Sequence, residues 1–109
     1  INEKKIKEAI KLFIGIHDFE YFHKSGSEKD NKVREIFDAK FYKYKDFYIF
    51  RFEANSYLRS QIRIMVGFLL KISEGKLSKG DLKAQLSRKK YIYKTPALPN
   101  GLYLSQVKY

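Results

Sequence analysis

The sequence predicts one α+β domain over its 109 residues, with two or three helices packed on an antiparallel or mixed sheet of at least three strands. Three observations predict this fold class. Apolar residues recur at helical spacing in several segments, two neighbouring segments alternate as strands do, and glycine, proline or polar residues separate the segments. The predicted order is α-β-β-α-α-β, without repeats or low-complexity tracts.

The first predicted helix covers residues 2–14 and ends at Gly15. Its apolar residues fall on one face: Ile6, Ala9, Ile10 and Phe13. The aromatic segment GIHDFEYF follows, and we expect a structural role for it. In this interpretation Asp18 caps backbone amides after the helix, and Phe19 and Phe22 pack inward.

A β-hairpin is predicted next, after a polar, exposed loop over residues 24–32. Its strands cover residues 33–43 and 47–54, and the three residues between them form the turn. Each strand has an alternating set: Phe37, Ala39 and Phe41 on the first, and Tyr48, Phe50 and Phe52 on the second. Because Tyr42 and Ile49 lie on the opposite face from these sets, we expect both faces of the hairpin to be partly covered.

The second predicted helix covers residues 58–72, with Asn55 or Ser56 as its N-cap. Its apolar residues recur at helical spacing: Leu58, Ile62, Met65, Leu69 and Ile72.

A shorter helix is predicted over residues 79–86, with Leu82 and Leu86 facing inward. A basic loop at residues 88–90 follows it. Turn signals containing proline and glycine then lead to a last strand over residues 102–107, whose residues alternate in character.

The formal net charge of +11 is concentrated in the second half of the chain. Residues 57–96 carry ten Lys or Arg and two acidic residues, whereas residues 1–56 carry twelve and ten. A local field of that sign attracts polyanions, so RNA or DNA is the leading partner class and an anionic membrane surface the second. A merely soluble, lysine-rich surface is the alternative.

Several protein classes are excluded by composition. The absence of cysteine excludes a disulfide framework and a thiolate metal site, and it agrees with a reducing, cytoplasmic compartment. The longest apolar stretch, residues 62–72, is interrupted by Arg63 and Lys71 and is too short to span a bilayer. Because the chain lacks a start methionine and an apolar signal segment, we expect it to be part of a longer protein.

Arg59, Arg63, Gly67 and Lys71 are spaced four residues apart on the second predicted helix, and therefore lie on one stripe away from most apolar residues. Three cations beside a glycine that permits close approach suit an anionic backbone. The alternative is an ordinary solvated helix face. Arginine at both leading positions favours the first interpretation, because the guanidinium fork donates two parallel hydrogen bonds to phosphate or carboxylate.

His17 and Asp18 suggest half of a catalytic triad or a metal site, but neither interpretation has support. The second histidine, His23, is six residues away, and neither a cysteine nor conventional ligand spacing surrounds the pair. No serine lies in a nucleophile elbow, so a catalytic triad is not supported. The six glycines are dispersed and form no glycine-rich phosphate loop. We therefore expect no metal at this position.

Three motifs resemble those of the tRNA pseudouridine synthase A family. Residues 15–22, GIHDFEYF, are similar to its G-x-H-D-F-x-x-F. Residues 54–67, ANSYLRSQIRIMVG, are similar to A-N-x-F-L-x-x-M-V-R-x-x-V-G, with Gln61 for methionine and Tyr57 for phenylalanine. Residues 101–109, GLYLSQVKY, are similar to G-L-x-L-x-x-V-x-Y. The motifs occur in the family's order and span almost the whole chain.

The resemblance implies an enzyme that isomerises uridine to pseudouridine in the anticodon stem-loop of tRNA, without cofactor or metal. Such enzymes are cytoplasmic homodimers built from two similar halves, and residues 1–109 correspond to the C-terminal half. The catalytic aspartate lies in a G-R-T-D-x-G-V-H motif of the N-terminal half, which this sequence does not contain. The target base is flipped into a pocket between the halves. The chain alone is therefore expected to be inactive.

Two site residues follow from the resemblance. Arg63 matches the arginine that pairs with the catalytic aspartate and keeps it ionised. Leu102 matches the apolar residue against which the flipped uracil packs. The residues expected to contact tRNA phosphates are Arg59, Lys71, Arg88, Lys89 and Lys90.

Two other function classes stay open. A standalone RNA-binding module would stack bases on the exposed aromatics of the hairpin, although residues 40–52 lack the aromatic-glycine signature of such modules. A protein interaction domain would carry its basic face incidentally. If the chain is half of an enzyme, its uncovered sheet edge and surface should make it self-associate or lower its stability.

Overall fold

The computed structural model describes residues 1–24, 31–97 and the backbone of residues 103–108. The helices of the described residues are α1 (Glu3–Ile10), α2 (Gln61–Ser73) and α3 (Lys79–Leu86). The strands are β1 (Gly15–Asp18), β2 (Val33–Tyr44), β3 (Phe47–Ala54) and β4 (Tyr103–Lys108). Two short 3-10 helices cover Lys11–Phe13 and Glu20–Phe22. None of the helices in the described part of the chain has the length and apolar character needed to cross a membrane.

The strands form one mixed sheet in the order β1-β2-β3-β4, which confirms the predicted fold class. β1 pairs antiparallel with β2, β2 pairs antiparallel with β3, and β4 pairs parallel with β3. A parallel pair needs a long crossover connection, and the segment containing α2 and α3 supplies it. β1 was not predicted as a strand, because its four residues show no alternation and Ile16 is exposed.

α1 has its predicted inward face, with Ile6, Ala9 and Ile10 buried against the sheet. Asn2 is its N-cap, and the side-chain oxygen accepts a hydrogen bond from the Lys5 amide at 3.2 Å. The helix tightens into a 3-10 turn before Gly15, whose φ of 117° lies in the region that glycine occupies readily. The predicted end of this helical segment is confirmed.

The hairpin of β2 and β3 is also confirmed, but the alternating set of Phe37, Ala39 and Phe41 does not share one face. Phe37 is 53% exposed, whereas Ile36 is 1% exposed and takes the inward position beside Ala39. The register of β2 against β3 shifts between Ile36 and Asp38, as a β-bulge does. Because the extra residue reverses the alternation, the inward set cannot be extended from Ala39 back to Phe37.

α2 begins at Gln61, three residues later than predicted, and its N-cap is Ser60 rather than Asn55 or Ser56. The side chain of Asn55 instead bonds to β2 and to the next residue. Its oxygen accepts hydrogen bonds from the amides of Glu35 at 3.1 Å and Ser56 at 2.9 Å. The buried side chain of Gln61 reaches back, and its oxygen accepts from the Leu58 amide at 2.9 Å. This bond stabilises the turn before the helix.

The core lies between one face of the sheet and the helices. Most of α2 is buried, including the inward residues Ile62, Met65, Leu69 and Ile72. Leu82 and Leu86 of α3 are buried as predicted, and Ser78 and Asp81 form a capping box at its start. Aromatic side chains fill the centre, where Phe22 lies 5.5 Å from Phe13 and 5.8 Å from Phe68 between ring centroids.

Candidate functional site

Arg63 lies in the first turn of α2, and its side chain is exposed. Its guanidinium donates to the carbonyl oxygen of Ala97 through Nε at 3.2 Å and through Nη2 at 3.0 Å. In return, the Ala97 amide donates to the carbonyl oxygen of Arg63 at 2.9 Å. Among the residues that the structure describes, no carboxylate forms an ion pair with Arg63. The side chain is held by a neutral group, and its charge is not compensated.

Gly67 lies one turn after Arg63, where the backbone of residues 95–97 crosses α2. A Cβ atom at Gly67 would lie 2.4 Å from the Thr95 carbonyl oxygen and 3.1 Å from the Ala97 amide nitrogen. The glycine therefore permits a close approach, as predicted, but the approaching backbone is that of the chain itself. The expectation that Gly67 admits an anionic backbone was wrong.

The basic stripe predicted along α2 is not assembled as one surface. Arg59 is exposed but precedes the helix, since α2 starts at Gln61. Lys71 lies on the helix with its Nζ 3.2 Å from the Glu74 carboxylate and 5.9 Å from the ring centroid of Tyr93. The hydrogen bond between them raises the pKa of Lys71 and lowers the pKa of Glu74. Of the three cations in the stripe, Lys71 is paired with Glu74, whereas Arg59 and Arg63 have no acidic partner among the described residues.

The basic loop after α3 has one residue tied to the domain and two exposed ones. Nη1 of Arg88 lies 3.0 Å from Oδ2 of Asp18. Lys89 and Lys90 are exposed, and no acidic partner pairs with them within the described ranges. These two ammonium groups are available to an anion, whereas the guanidinium of Arg88 is already paired.

Asp18 has the structural role that was predicted. Its Oδ1 accepts from the Glu20 amide at 3.0 Å, at the start of the 3-10 helix, and Phe19 and Phe22 are fully buried. His17 lies against the Ile14 carbonyl, with Nε2 at 3.2 Å from the oxygen. Within the described part of the chain, no group of three His, Cys or acidic residues is placed to hold a metal ion.

Gln85 is a residue that sequence reasoning missed. It is fully buried on α3 and makes four hydrogen bonds to backbone. Nε2 donates to the carbonyls of Tyr21 at 3.0 Å and Tyr93 at 2.7 Å. Oε1 accepts from the amides of Ile92 at 2.8 Å and Tyr93 at 2.9 Å. The side chain thus fixes the segment that leads to residues 95–97, and periodicity carries no signal of this role.

Leu102, the other site residue expected from the motifs, lies outside the described residues. Its proposed contact with uracil therefore stays a prediction. Beside Gly67 and residues 95–97 the described structure has an open groove of about 440 Å³, whose walls include Lys71, Glu74 and Tyr93. An aromatic ring and a paired cation thus border the groove beside Gly67 and residues 95–97.

Comparison with known proteins matches residues 9–109 to the family described as tRNA pseudouridine synthase. The chain is 44% identical over 108 residues to the tRNA pseudouridine synthase A of Wolinella succinogenes, covering 99% of this chain and 43% of that protein. It is 48% identical over 105 residues to the tRNA pseudouridine synthase A of Campylobacter jejuni, and the match covers 96% of this chain and 44% of that protein. It is 42% identical over 108 residues to that of Helicobacter hepaticus, covering 99% and 44%.

The chain therefore spans less than half the length of these relatives, while nearly all of it takes part in each match. Each match extends over at least 96% of this chain and is therefore not confined to a single short motif. The chain belongs to the tRNA pseudouridine synthase family.

Proposed function

We propose that the protein to which this chain belongs isomerises uridine to pseudouridine in the anticodon stem-loop of tRNA. In this proposal residues 1–109 are one domain, the C-terminal half of the enzyme. The observation that carries it is the state of Arg63, an exposed guanidinium that is held in place but has no carboxylate partner in the described residues. Family membership and the match to less than half of each relative support the same interpretation.

The proposed role of Arg63 is to bind and orient the catalytic aspartate of the N-terminal half. Its Nε and Nη2 already donate to Ala97, which leaves the N–H groups of Nη1 and one of Nη2 for a carboxylate. A charge-assisted pair lowers the pKa of that carboxylate and fixes its position. The aspartate is then ionised near neutral pH and correctly oriented. Correct orientation of a reacting group makes a large contribution to the rate of an enzyme.

The proposed reaction conserves all atoms of the nucleotide. The bond between uracil N1 and ribose C1′ breaks, the uracil rotates, and a bond between C5 and C1′ forms. The hydrogen on C5 leaves as a proton, and N1 takes one up. Because nothing is oxidised or reduced, we propose that neither a cofactor nor a metal is needed. Leu102 would provide the apolar surface against which the flipped base packs.

We propose Arg59, Lys89 and Lys90 as the main phosphate contacts, because all three are exposed and lack an acidic partner in the described part of the chain. Lys71 and Arg88 contribute less, since each would give up an intramolecular ion pair. The complete enzyme is proposed to be a cytoplasmic homodimer.

The test uses the full-length enzyme and tRNA carrying tritium at C5 of uridine, because isomerisation releases that tritium to water. Arg63→Ala should lower the single-turnover rate roughly a hundredfold or more while tRNA affinity changes little. Lys40→Ala, which also removes one exposed cation, is the matched control and should behave as wild type. Absence of tritium release by the wild-type enzyme would overturn the function, and equal losses of rate and affinity would make Arg63 a phosphate contact.

One observation favours a second candidate, a standalone RNA-binding module. Tyr44 is 59% exposed at the tip of the hairpin, and Phe47 is 40% exposed. Exposed aromatics beside Lys43 and Lys45 can stack on unpaired bases. In that case the chain alone should bind single-stranded RNA, and Tyr44→Ala should weaken the binding more than Arg63→Ala does.

A further inference from the structure

We infer that residues 95–97 form a strap that holds the Arg63 guanidinium in position, and that Gly67 is the residue that lets the strap dock. The catalytic part of this inference rests on the proposed function, whereas the docking of the strap does not. Gly67 and Ala97 are then positioning residues of the active site.

The first anchor of the strap is its contact with Gly67. A Cβ at this position would meet backbone atoms of three successive residues, at 2.4 Å from the Thr95 oxygen, 3.4 Å from the Pro96 carbonyl carbon and 3.1 Å from the Ala97 nitrogen. The shortest of these distances is far inside van der Waals contact. Because the neighbours are backbone and not the end of a flexible side chain, even alanine would push the whole strap away from α2.

The second anchor is the two-way pairing of Ala97 with Arg63. The Ala97 amide donates to the Arg63 carbonyl at 2.9 Å, and the Ala97 carbonyl accepts from both Nε and Nη2 of the Arg63 side chain. Gly67 and Arg63 are four residues apart, and so lie on the same face of α2. Displacing the strap at Gly67 therefore moves the acceptor that holds the guanidinium.

A third anchor holds the chain upstream of the strap. The buried side chain of Gln85 bonds to both the amide and the carbonyl of Tyr93, at 2.9 Å and 2.7 Å. Tyr93 lies two residues before Thr95. The strap is thus fixed at its start by α3 and along its length by α2, and its carbonyl at Ala97 has little freedom to move.

A backbone carbonyl is well suited to this task. An exposed arginine samples many rotamers, and fixing it costs conformational entropy at each encounter with a partner. A neutral acceptor restricts the side chain without neutralising the charge, so the guanidinium remains able to pair with an incoming carboxylate. A carboxylate in the position of the Ala97 carbonyl would compete with that partner.

The experiment compares Gly67→Ala with Gly80→Ala in the full-length enzyme. Both glycines are helical, but a Cβ at Gly80 would meet only the Ser78 hydroxyl at an ordinary 3.5 Å. In Gly67→Ala we expect faster hydrogen exchange at the Ala97 amide, a single-turnover rate lower by roughly tenfold to a hundredfold, and tRNA affinity within about twofold of wild type. Gly80→Ala should match wild type in all three.

Ala97→Pro is a second variant that separates loss of the strap from a folding defect in Gly67→Ala. It removes the amide that donates to Arg63 and leaves α2 unchanged, and it should give the same loss of rate with unchanged affinity. Retained protection of the Ala97 amide in Gly67→Ala would overturn the docking. A released strap with a wild-type rate in both variants would overturn the positioning role and leave the proposed function intact. An inactive wild-type enzyme would instead overturn the proposed function. In that case, hydrogen exchange at the Arg63 Nε–H would decide whether the strap holds the guanidinium.

Discussion

Asp18 and Arg88 form an ion pair between the end of β1 and the loop after α3, with Oδ2 and Nη1 3.0 Å apart. The same carboxylate accepts from the Glu20 amide through its other oxygen, at 3.0 Å. Arg88 has a φ of 59°, in the left-handed region, and lies in the turn that follows α3. The ion pair therefore fixes the base of the basic loop, and Lys89 and Lys90 extend from it.

The two bonds of Asp18 can be separated by substitution. Asp18→Asn keeps an oxygen for the Glu20 amide and loses only the ion pair, which should cost less than about 1 kcal/mol because Arg88 is half exposed. Asp18→Ala loses both and should cost about 1–2 kcal/mol. Urea unfolding measures both values. Equal losses in the two variants would mean that the ion pair, and not the amide bond, dominates.

The basic loop should control the salt dependence of tRNA binding. Replacing Lys89 and Lys90 together by alanine should weaken binding and reduce the slope of log affinity against log salt by about two, since each lysine neutralises about one phosphate. Arg88→Ala should change the slope by less, because its guanidinium is already paired with Asp18. Filter binding over a salt series gives the slopes. If the double variant binds like wild type at physiological salt, the loop does not contact tRNA.

The helices and the hairpin could be predicted because their signals are local. The inward faces of α1 and α3 follow from spacing alone, and so do the limits of β2 and β3. β1 could not be predicted in this way, because its pairing from Gly15 to Asp18 depends entirely on β2. The bulge at Phe37 could not be predicted for the same reason. It exists only as a mismatch between two paired strands.

The site was predicted in part, and for a similar reason. Spacing along the second predicted helix singled out Arg63 and Gly67, and the resemblance gave Arg63 a role, but both residues contact Ala97, which lies 34 residues after Arg63 and 30 after Gly67. Asn55 has the side chain of a helix N-cap, yet it bonds to the Glu35 amide on β2 instead. Contacts between distant segments decide these roles, and neither spacing nor composition contains them.

Gln85 should be among the most sensitive polar residues of the domain. Gln85→Ala removes four hydrogen bonds and leaves the partly buried amides of Ile92 and Tyr93 without their acceptor, so we expect the free energy of unfolding to fall by about 3 kcal/mol. Lys83→Ala, an exposed substitution on the same helix, should stay within about 0.5 kcal/mol of wild type. Urea unfolding compares them, and similar values for the two variants would contradict the assignment.

Glu74 should restrain Lys71 from binding tRNA. The hydrogen bond between them raises the pKa of Lys71 above 10.5 and lowers that of Glu74 below 4.5. The stabilisation by Glu74 is thus present above pH 4.5 and lost as the pH falls through its lowered pKa. The stabilisation by Lys71 is present below pH 10.5 and lost as the pH rises through its raised pKa. The stability difference between wild type and Glu74→Gln should be constant between these limits and vanish beyond them.

The same variant has a consequence for RNA. Glu74→Gln frees the ammonium of Lys71 beside Tyr93, so tRNA should bind more tightly at low salt and with a steeper salt dependence. Glu8→Gln is the matched control, because it also removes a carboxylate paired with a lysine at 3.2 Å, on α1 rather than at the C-cap of α2. An equal gain in both variants would be an effect of net charge alone. A gain confined to Glu74→Gln would place Lys71 or Lys76, the two lysines paired with Glu74, next to the bound RNA, since only a cation close to a phosphate gains affinity when its own partner is removed.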